Sequence, residues 1–174
     1  MPEVDPGRPA QADDLALLLE AAAEAGAIAM RYFRKSPEVW MKNGRSPVSE
    51  ADYAADTFLR ETLMAARPDY GWLSEETVDT PARHQAQRLF VVDPIDGTRG
   101  FVDGGNEWCV SVAVVEAGRP VVGVLQAPAR KERFWAVSGE GAFLDGARLR
   151  VAEPGQPPQL AGPKPMVDRF GKIW

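Results

Sequence analysis

The sequence predicts an α+β fold in which a pair of helices packs on a mainly antiparallel sheet. Two segments with the apolar period of amphipathic helices come first, within residues 13–66. From residue 71 onward, short runs rich in β-branched residues alternate with turns that contain glycine or proline. Helices first and strands afterwards favour layered packing over an alternating βαβ chain, and 174 residues suffice for one domain with a buried core.

Each predicted helix is bounded by recognisable signals. The first is predicted over residues 13–34 and ends at Ser36-Pro37, because a residue that precedes proline disfavours the helical conformation. The second is predicted over residues 49–66 and starts at a capping box, in which Asp52 takes the place usually held by glutamate. Arg67-Pro68 ends the second helix for the same reason as the first.

The strands are predicted from β-branched and aromatic residues between turn signals. Six segments have this character, at residues 71–74, 88–92, 108–115, 121–126, 133–137 and 142–144. The second segment is a continuous apolar run after its first residue, which is typical of a strand covered on both faces. These segments are therefore expected to form the sheet on which the two helices pack.

The chain divides into three parts by composition. Residues 1–12 are polar and contain prolines, so they are predicted to form a flexible arm. Residues 13–152 are predicted to form the folded domain. Residues 153–165 contain five prolines and two glycines, which is typical of a linker, and residues 153–174 are interpreted as this linker and the stub of a missing C-terminal domain.

Composition disfavours several classes of function. The formal net charge of −5 argues against a nucleic-acid polymer as partner. No apolar run approaches the roughly 20 residues that a membrane helix needs, so no membrane association is expected. The N-terminus lacks the features of a signal peptide, and the single cysteine, Cys109, excludes an internal disulfide, so a cytoplasmic protein is expected. Cys109 itself is predicted to be a small core residue.

An acidic loop follows the apolar strand at residues 88–92. Asp93 and Asp96 offer the hard oxygen ligands that suit Mg²⁺ or Mn²⁺, and the Ile95 carbonyl could join them. Gly97 allows a close approach of the backbone, and the Thr98 hydroxyl could hold a water molecule or a phosphate oxygen. Taken alone, the loop could equally be a turn with solvated aspartates.

Three further sites have ordinary structural explanations when each is considered alone. Glu75 and Glu76 follow a short apolar strand and could be solvent-facing charges. Asp52 could serve only as a helix cap. Lys42 could be a solvated lysine in a loop.

Taken together, these residues resemble a family signature. Residues 93–102, DPIDGTRGFV, closely resemble the D-P-[IL]-D-G-T-x-x-F-[VI] motif of the inositol monophosphatase superfamily. Residues 73–76, LSEE, resemble its G/S-E-E segment, and residues 46–52, SPVSEAD, resemble its P-V-T-x-A-D segment. Order and spacing agree over about residues 13–150. The resemblance implies the N-terminal half of a layered αβαβα sugar-phosphatase fold.

The resemblance also implies roles for the individual residues. Glu75, Asp93 and the Ile95 carbonyl would bind a first metal ion, and Asp93 and Asp96 would bind a second. Asp52 and Thr98 would orient the attacking water, with Glu76 behind the ligands as a further carboxylate. The substrate would be contacted by three residues: Gly97, Thr98 and Lys42. The implied reaction is Mg²⁺-dependent hydrolysis of a small phosphate monoester, with no activated nucleophile on the protein.

The resemblance leaves the substrate and the activity open. Inositol phosphate, 3′-phosphoadenosine 5′-phosphate and histidinol phosphate are all handled within the superfamily, whose members are often homodimers. Family members also carry a later W-D motif whose aspartate completes the second metal site, and no W-D pair occurs in this sequence. An alternative hypothesis is therefore a truncated, catalytically impaired half-fold that acts as a binding or regulatory module.

Overall fold

Two helices cover one face of a seven-stranded sheet in the computed structural model, which describes residues 8–42 and 46–151. The elements follow one another as α1 (Arg8–Tyr32), β1 (Val39–Lys42), β2 (Ser46–Ser49), α2 (Glu50–Ala66), β3 (Gly71–Ser74), a 3₁₀ turn (Pro81–Gln85), β4 (Arg88–Asp96), α3 (Thr98–Val102), β5 (Cys109–Glu116), β6 (Arg119–Ala127), β7 (Glu132–Val137), β8 (Gly141–Leu144) and β9 (Ala147–Arg148). Within the described residues, no helix is long and apolar enough to cross a membrane.

The sheet is mainly antiparallel, which confirms the predicted α+β architecture. Its strand order is β3-β4-β5-β6-β7-β8-β9, and β1 and β2 form a separate two-stranded hairpin. All neighbouring strands of the large sheet are antiparallel except β3 and β4, which are parallel. The parallel pair matters for function because the carboxyl ends of β3 and β4 emerge at the same edge of the sheet.

The hydrophobic core lies between the two long helices and one face of the sheet. Its small and aliphatic helix residues repeat at helical spacing and pack on alternate strand residues. The main contributors are Leu18, Ala22 and Ala25 of α1, Ala55, Leu59 and Leu63 of α2, and Phe90, Val92, Val112, Val114, Val122 and Val124 of the sheet. Burying each large aliphatic side chain contributes about 1.5–3 kcal/mol. This layer gives the functional residues a rigid support.

The opposite face of β4 corrects one sequence-based expectation. Phe90 and Val92 are buried beneath the helices, whereas Leu89 and Val91 on the other face are only half-buried. The apolar run had predicted a strand covered on both faces, and within the described residues only one face is fully covered. A continuous apolar run indicates that both faces of the strand are apolar, but it does not indicate what packs against each face.

The first helix begins earlier than its periodicity predicts. It starts at Arg8, so residues 8–12 are helical and do not belong to the predicted arm. A proline is compatible with the first turn of a helix, and the residues after Pro9 have good helix propensity. The helix ends at Tyr32, and Arg34 and Ser36 then adopt positive φ. Residues 1–7 and the predicted linker and stub, 153–174, lie outside the described residues.

The hairpin of β1 and β2 and the short helix α3 are absent from the predicted strands and helices. The two hairpin strands pair with Lys42 opposite Ser46. Asn43-Gly44 is the sequence signal for such a hairpin, because this dipeptide favours the positive φ values of tight turns. The predicted helix over residues 49–66 is confirmed as α2, which begins one residue later with Ser49 as its N-cap.

Candidate metal centre

The candidate site lies at the carboxyl ends of β3 and β4. The register of this parallel pair places Ser74 opposite Val92, so Glu75 and Asp93 follow their strands side by side. The backbone N–H of Glu75 donates a hydrogen bond to the Val92 carbonyl oxygen at 3.2 Å. Sheet topology therefore brings together acidic residues that are 18 positions apart in the chain.

A bulge in β4 places Asp93 and Asp96 on the same side of the sheet. Asp93 is paired with Ser111 and Asp96 with Cys109, so two residues of β4 face one residue of β5 between these pairs. Residues 109 and 111 point to one side of their strand because side chains alternate, and their partners share that side. One of the two residues in the bulge is Pro94, which suits this position because it has no N–H for the ladder.

The acidic side chains are close enough to perturb one another. The pKa of Asp93 is raised from its ordinary value of 3.8 to about 7, first by burial and then by the charge and hydrogen bond of Glu75 and the charge of Asp96. A hydrogen bond between two carboxyl groups requires a proton on one of them. With a pKa of about 7, Asp93 is therefore protonated about half of the time at neutral pH.

The carboxyl groups suit a divalent cation chemically. Within the described residues, no three acidic, histidine or cysteine side chains are already arranged as a metal cage. The pair of Asp93 and Glu75 nevertheless offers hard oxygen ligands, and a cation would remove the repulsion that raises the pKa of Asp93. Among the side chains that the structure describes, no arginine or lysine pairs with Asp93 or Asp96. The residues present therefore fit Mg²⁺ or Mn²⁺.

Asp52 links the start of α2 to the acidic loop. Its Oδ2 accepts hydrogen bonds from the backbone N–H of Ser49 at 2.8 Å and from the Ser49 hydroxyl at 2.6 Å, which confirms the predicted capping role. Its Oδ1 lies 3.2 Å from the Thr98 hydroxyl oxygen. Asp52 is 1% exposed, and burial raises its pKa despite these hydrogen bonds. One carboxyl group therefore caps a helix and also faces the site.

The Thr98 hydroxyl lies between two acceptors. It is 3.0 Å from the Ile95 carbonyl oxygen as well as 3.2 Å from Asp52 Oδ1. A hydroxyl has a single proton, so Thr98 can donate to only one of these oxygens at a time. Its remaining lone pairs stay available to accept from a third group, such as a water molecule.

Gly97 is required by the geometry of the turn. It has φ of +93° and is the N-cap of α3, and a Cβ atom there would lie 2.6 Å from the Glu107 carbonyl oxygen. Both the left-handed conformation and this close approach exclude larger residues without strain. The turn brings the Thr98 hydroxyl back toward Asp52.

The remaining predicted site residues are less closely defined. Lys42 is the last residue of β1, and its side chain lies outside the described residues. Glu76 is half-buried, and its backbone N–H donates to the Ser74 hydroxyl oxygen at 3.2 Å. The roles assigned to both residues by the family resemblance stay predictions.

Cys109 differs from its predicted place in the core. It is half-buried beside Asp96, and burial, followed by the charges of Asp96 and Asp93, raises its thiol pKa to about 11. A thiol with this pKa stays protonated at neutral pH and is a poor nucleophile. The residue therefore borders the acidic site without supplying a reactive group.

Sequence reasoning missed three residues beside the glutamate pair. Asp56, one turn after Asp52 on α2, is 6% exposed and accepts hydrogen bonds from the hydroxyls of Ser74 and Thr77. The available signal was spacing, since residues 52 and 56 share a helix face on which a second acidic residue is unexpected at a buried position. The hydrogen-bond partners of Asp56 cannot be predicted from the local sequence, because they lie 18 and 21 residues away from it.

Comparisons with known proteins identify the family of this chain. The family model described as "Inositol monophosphatase family" matches residues 11–164. The chain is 38% identical over 140 residues to a histidinol-phosphatase from Chlorobaculum parvum, covering 80% of this chain and 53% of the relative. It is 34% identical over 139 residues to a 3′(2′),5′-bisphosphate nucleotidase CysQ from Aggregatibacter actinomycetemcomitans, covering 78% and 52%.

A solved structure supports the same assignment. The Thermotoga maritima IMPase superposes with a TM-score of 0.76 at 33% identity, over 82% of this chain and 55% of that one. The chain thus spans about half the length of the relatives that it matches. The family model and the matched fold agree, and the chain belongs to the inositol monophosphatase family.

Proposed function

We propose that this protein hydrolyses a small phosphate monoester in a reaction that depends on Mg²⁺, for which Mn²⁺ can substitute. The observation that carries the proposal is the acidic cluster at the ends of β3 and β4. There, Glu75 and Asp93 share a hydrogen bond, and Asp96 lies on the same side of the sheet as Asp93. Carboxyl groups that lie this close together favour a bound cation and, through it, a phosphate.

The proposed metal ligands are those assigned by the family resemblance. Glu75, Asp93 and the Ile95 carbonyl would hold one ion, and Asp93 and Asp96 would contribute to a second. When bound, the ions would polarise the phosphoryl oxygens and lower the pKa of a water molecule. The β-bulge places Asp93 and Asp96 on the same side of the sheet, so both carboxyl groups already lie on the side where the ions would bind.

Asp52 and Thr98 would orient the attacking water. The Asp52 Oδ2 atom is occupied by Ser49, so Oδ1 and the Thr98 hydroxyl, 3.2 Å apart, are the groups left to hold a water molecule. Burial raises the pKa of Asp52, which makes its carboxylate a better proton acceptor than a solvated aspartate. Glu76 would add a further carboxylate behind the ligands, and water would attack phosphorus directly.

The proposed substrates come from the family. Inositol phosphate, histidinol phosphate and 3′-phosphoadenosine 5′-phosphate are the three candidates, and the histidinol-phosphatase and bisphosphate nucleotidase relatives favour testing all of them. Gly97 and Thr98 would lie beside the phosphate, because the turn at Gly97 brings the backbone close, and Lys42 would supply a positive charge. We further propose a cytoplasmic location and a homodimeric state, and light scattering of the purified protein would test the dimer.

A metal-dependence assay tests the proposed activity. Purified protein should release phosphate from at least one of the three substrates with Mg²⁺ or Mn²⁺ and should be inactive after chelation with EDTA. Asp93→Asn should reduce activity to background, whereas Asp103→Asn, the same change at an exposed position on the C-cap of α3, should preserve it. Turnover without metal, or full activity in Asp93→Asn, would contradict the proposal.

A binding or regulatory module is the alternative function. It is favoured by one observation: within the described residues, no three acidic, histidine or cysteine side chains are already arranged to hold a metal ion. This alternative predicts Mg²⁺ binding only at millimolar concentrations and no turnover with any of the three substrates. Calorimetric titration with Mg²⁺ alongside the phosphate-release assay separates the two functions.

A further inference from the structure

Two hydroxyl groups flank the glutamate pair and share one acceptor. Ser74 directly precedes Glu75, and Thr77 directly follows Glu76. The Ser74 hydroxyl donates to Asp56 Oδ1, and the Thr77 hydroxyl donates to Asp56 Oδ2 at 2.7 Å. The carboxyl group of Asp56 therefore accepts hydrogen bonds from both ends of the four-residue segment that carries Glu75 and Glu76.

Other hydrogen bonds close the same segment. The Ser74 hydroxyl oxygen also accepts from the Glu76 backbone N–H at 3.2 Å, and the Trp72 indole N–H donates to the Thr77 hydroxyl oxygen at 3.4 Å. The Glu75 backbone N–H donates to Val92, the residue before Asp93. The segment that carries the glutamates is thus held by Asp56, Trp72 and Val92, and Asp56 accepts a hydrogen bond from each of its two hydroxyl groups.

Burying the Asp56 carboxyl group costs more free energy than a purely structural role would require. Asp56 is 6% exposed, and burial of a carboxyl group costs several kcal/mol unless its oxygens are satisfied. Within the described residues its partners are hydroxyls, and no arginine or lysine pairs with it. An apolar side chain would hold α2 against the sheet with less desolvation, as Ala55, Leu59 and Leu63 do on the same helix.

We propose that Asp56 is a positioning residue, which holds the segment of Glu75 and Glu76 against Asp93 so that the glutamates meet a bound Mg²⁺ ion in one geometry. This inference rests on the proposed metal-dependent function of the same site. Groups that orient metal ligands typically change metal affinity by about 10–100-fold when they are removed. Helix α2 thereby serves the site twice, through Asp52 and, one turn later, through Asp56.

The test measures Mg²⁺ affinity and backbone protection in the intact chain. Asp56→Ala should raise the calorimetric Kd for Mg²⁺ by about tenfold. In the metal-free protein it should also speed hydrogen exchange at the amides of Glu75 and Glu76. The matched control is Asp14→Ala, because Asp14 is also a buried carboxyl with several side-chain donors, at the other end of β4. The control should lose stability but retain the wild-type Kd.

Conservative variants keep the proposal testable if Asp56→Ala folds poorly. Ser74→Ala and Thr77→Val each remove one of the two flanking hydroxyls and should each raise the Kd by a smaller factor than Asp56→Ala. Asp56→Asn retains one acceptor oxygen and should fall between the wild type and Asp56→Ala. If Asp56 had a merely structural role, these variants would differ in stability but would share the wild-type Kd for Mg²⁺.

The outcomes separate this inference from the proposed function. An unchanged Kd in Asp56→Ala, or an equal rise in Asp14→Ala, would overturn the positioning role. Wild-type protein that binds Mg²⁺ but hydrolyses none of the three substrates would defeat the proposed hydrolysis alone, and the Kd ranking would still decide the role of Asp56. Wild-type protein that does not bind Mg²⁺ would overturn both.

Discussion

The two ends of β4 carry acidic groups that are stabilised in opposite ways. At the Arg88 end, Asp14 accepts hydrogen bonds from Arg67 at 3.0 Å, from Arg88 at 3.1 Å and from the Tyr70 hydroxyl at 2.9 Å. Arg88 also pairs with Glu116 at 3.2 Å. Every carboxyl group in this first cluster is matched by a cation that the chain itself supplies.

At the other end of the strand, the acidic groups lie against one another. Asp93 shares a hydrogen bond with Glu75, lies near Asp96 and has a pKa raised to about 7. The two clusters also differ in burial, since Asp14 is 1% exposed, whereas Asp93 is half-buried and both Glu75 and Asp96 are exposed. A cluster that contains its own cations is complete as a structure, whereas a cluster of carboxyl groups is completed by a cation from solution.

The largest effect is expected at the Arg88 end. Asp14→Ala should lower the free energy of unfolding by about 3 kcal/mol, because it leaves Arg67 and Arg88 partly buried without their shared carboxylate. Urea denaturation would measure the loss, and Mg²⁺ should leave the size of the loss unchanged. A loss below about 0.5 kcal/mol, the usual effect of a surface change, would show that this cluster is not a structural one.

A smaller effect is expected from the turn at the acidic end. Gly97→Ala should destabilise by about 2–3 kcal/mol, since it adds a contact with the Glu107 carbonyl oxygen to the strain of a left-handed residue. Gly139→Ala is the matched control, because Gly139 also has positive φ but no atom lies within 4 Å of the added Cβ. The control should lose only about 1–2 kcal/mol. Equal losses would argue against the close approach at Gly97.

The smallest and most diagnostic effect concerns pH. The pKa of Asp93 is raised in the folded protein, so its contribution to stability is full below 3.8 and is lost as pH rises through about 7. Metal-free wild-type protein should therefore lose stability across this window relative to Asp93→Asn, in which the titrating group is absent. At pH 8 the variant should be more stable by about 1 kcal/mol, after allowance for solvent screening.

Thermal denaturation at several pH values, with EDTA present, would measure this difference. A pH-independent difference between wild type and Asp93→Asn would show that the acidic groups do not repel one another in the folded state. Added Mg²⁺ should reverse the sign at pH 8, because only the wild type retains the carboxylate that the cation would bind.

The acidic site was the most predictable part of this molecule. Its motif is contiguous, and Glu75 and Asp93 each follow an apolar run, so their meeting depended only on two strands being neighbours. The bulge between Asp93 and Asp96 could not be read in the same way, since a regular strand would place residues three apart on opposite faces. Only the pairing with Ser111 and Cys109 shows that they share one side.

The supporting contacts were the least predictable part. Asp14 meets partners 53, 56 and 74 residues away, and Asp56 meets Ser74 and Thr77 across the core. Local periodicity indicates that such residues face inward, but it does not indicate which distant donor satisfies them. The hairpin of β1 and β2 differs, because the sequence contains a local signal for it, the dipeptide Asn43-Gly44.

Calorimetric titration with Mg²⁺ at pH 6, in two buffers of different ionisation enthalpy, tests most directly whether the acidic end of β4 is completed by a cation. Below a pKa of about 7 the site holds a proton that the cation must displace, so binding should release protons and should tighten as pH rises to 8. Asp93→Asn should abolish both effects. Mg²⁺ binding that releases no proton, or that persists unchanged in Asp93→Asn, would contradict a cation site built on Glu75, Asp93 and Asp96.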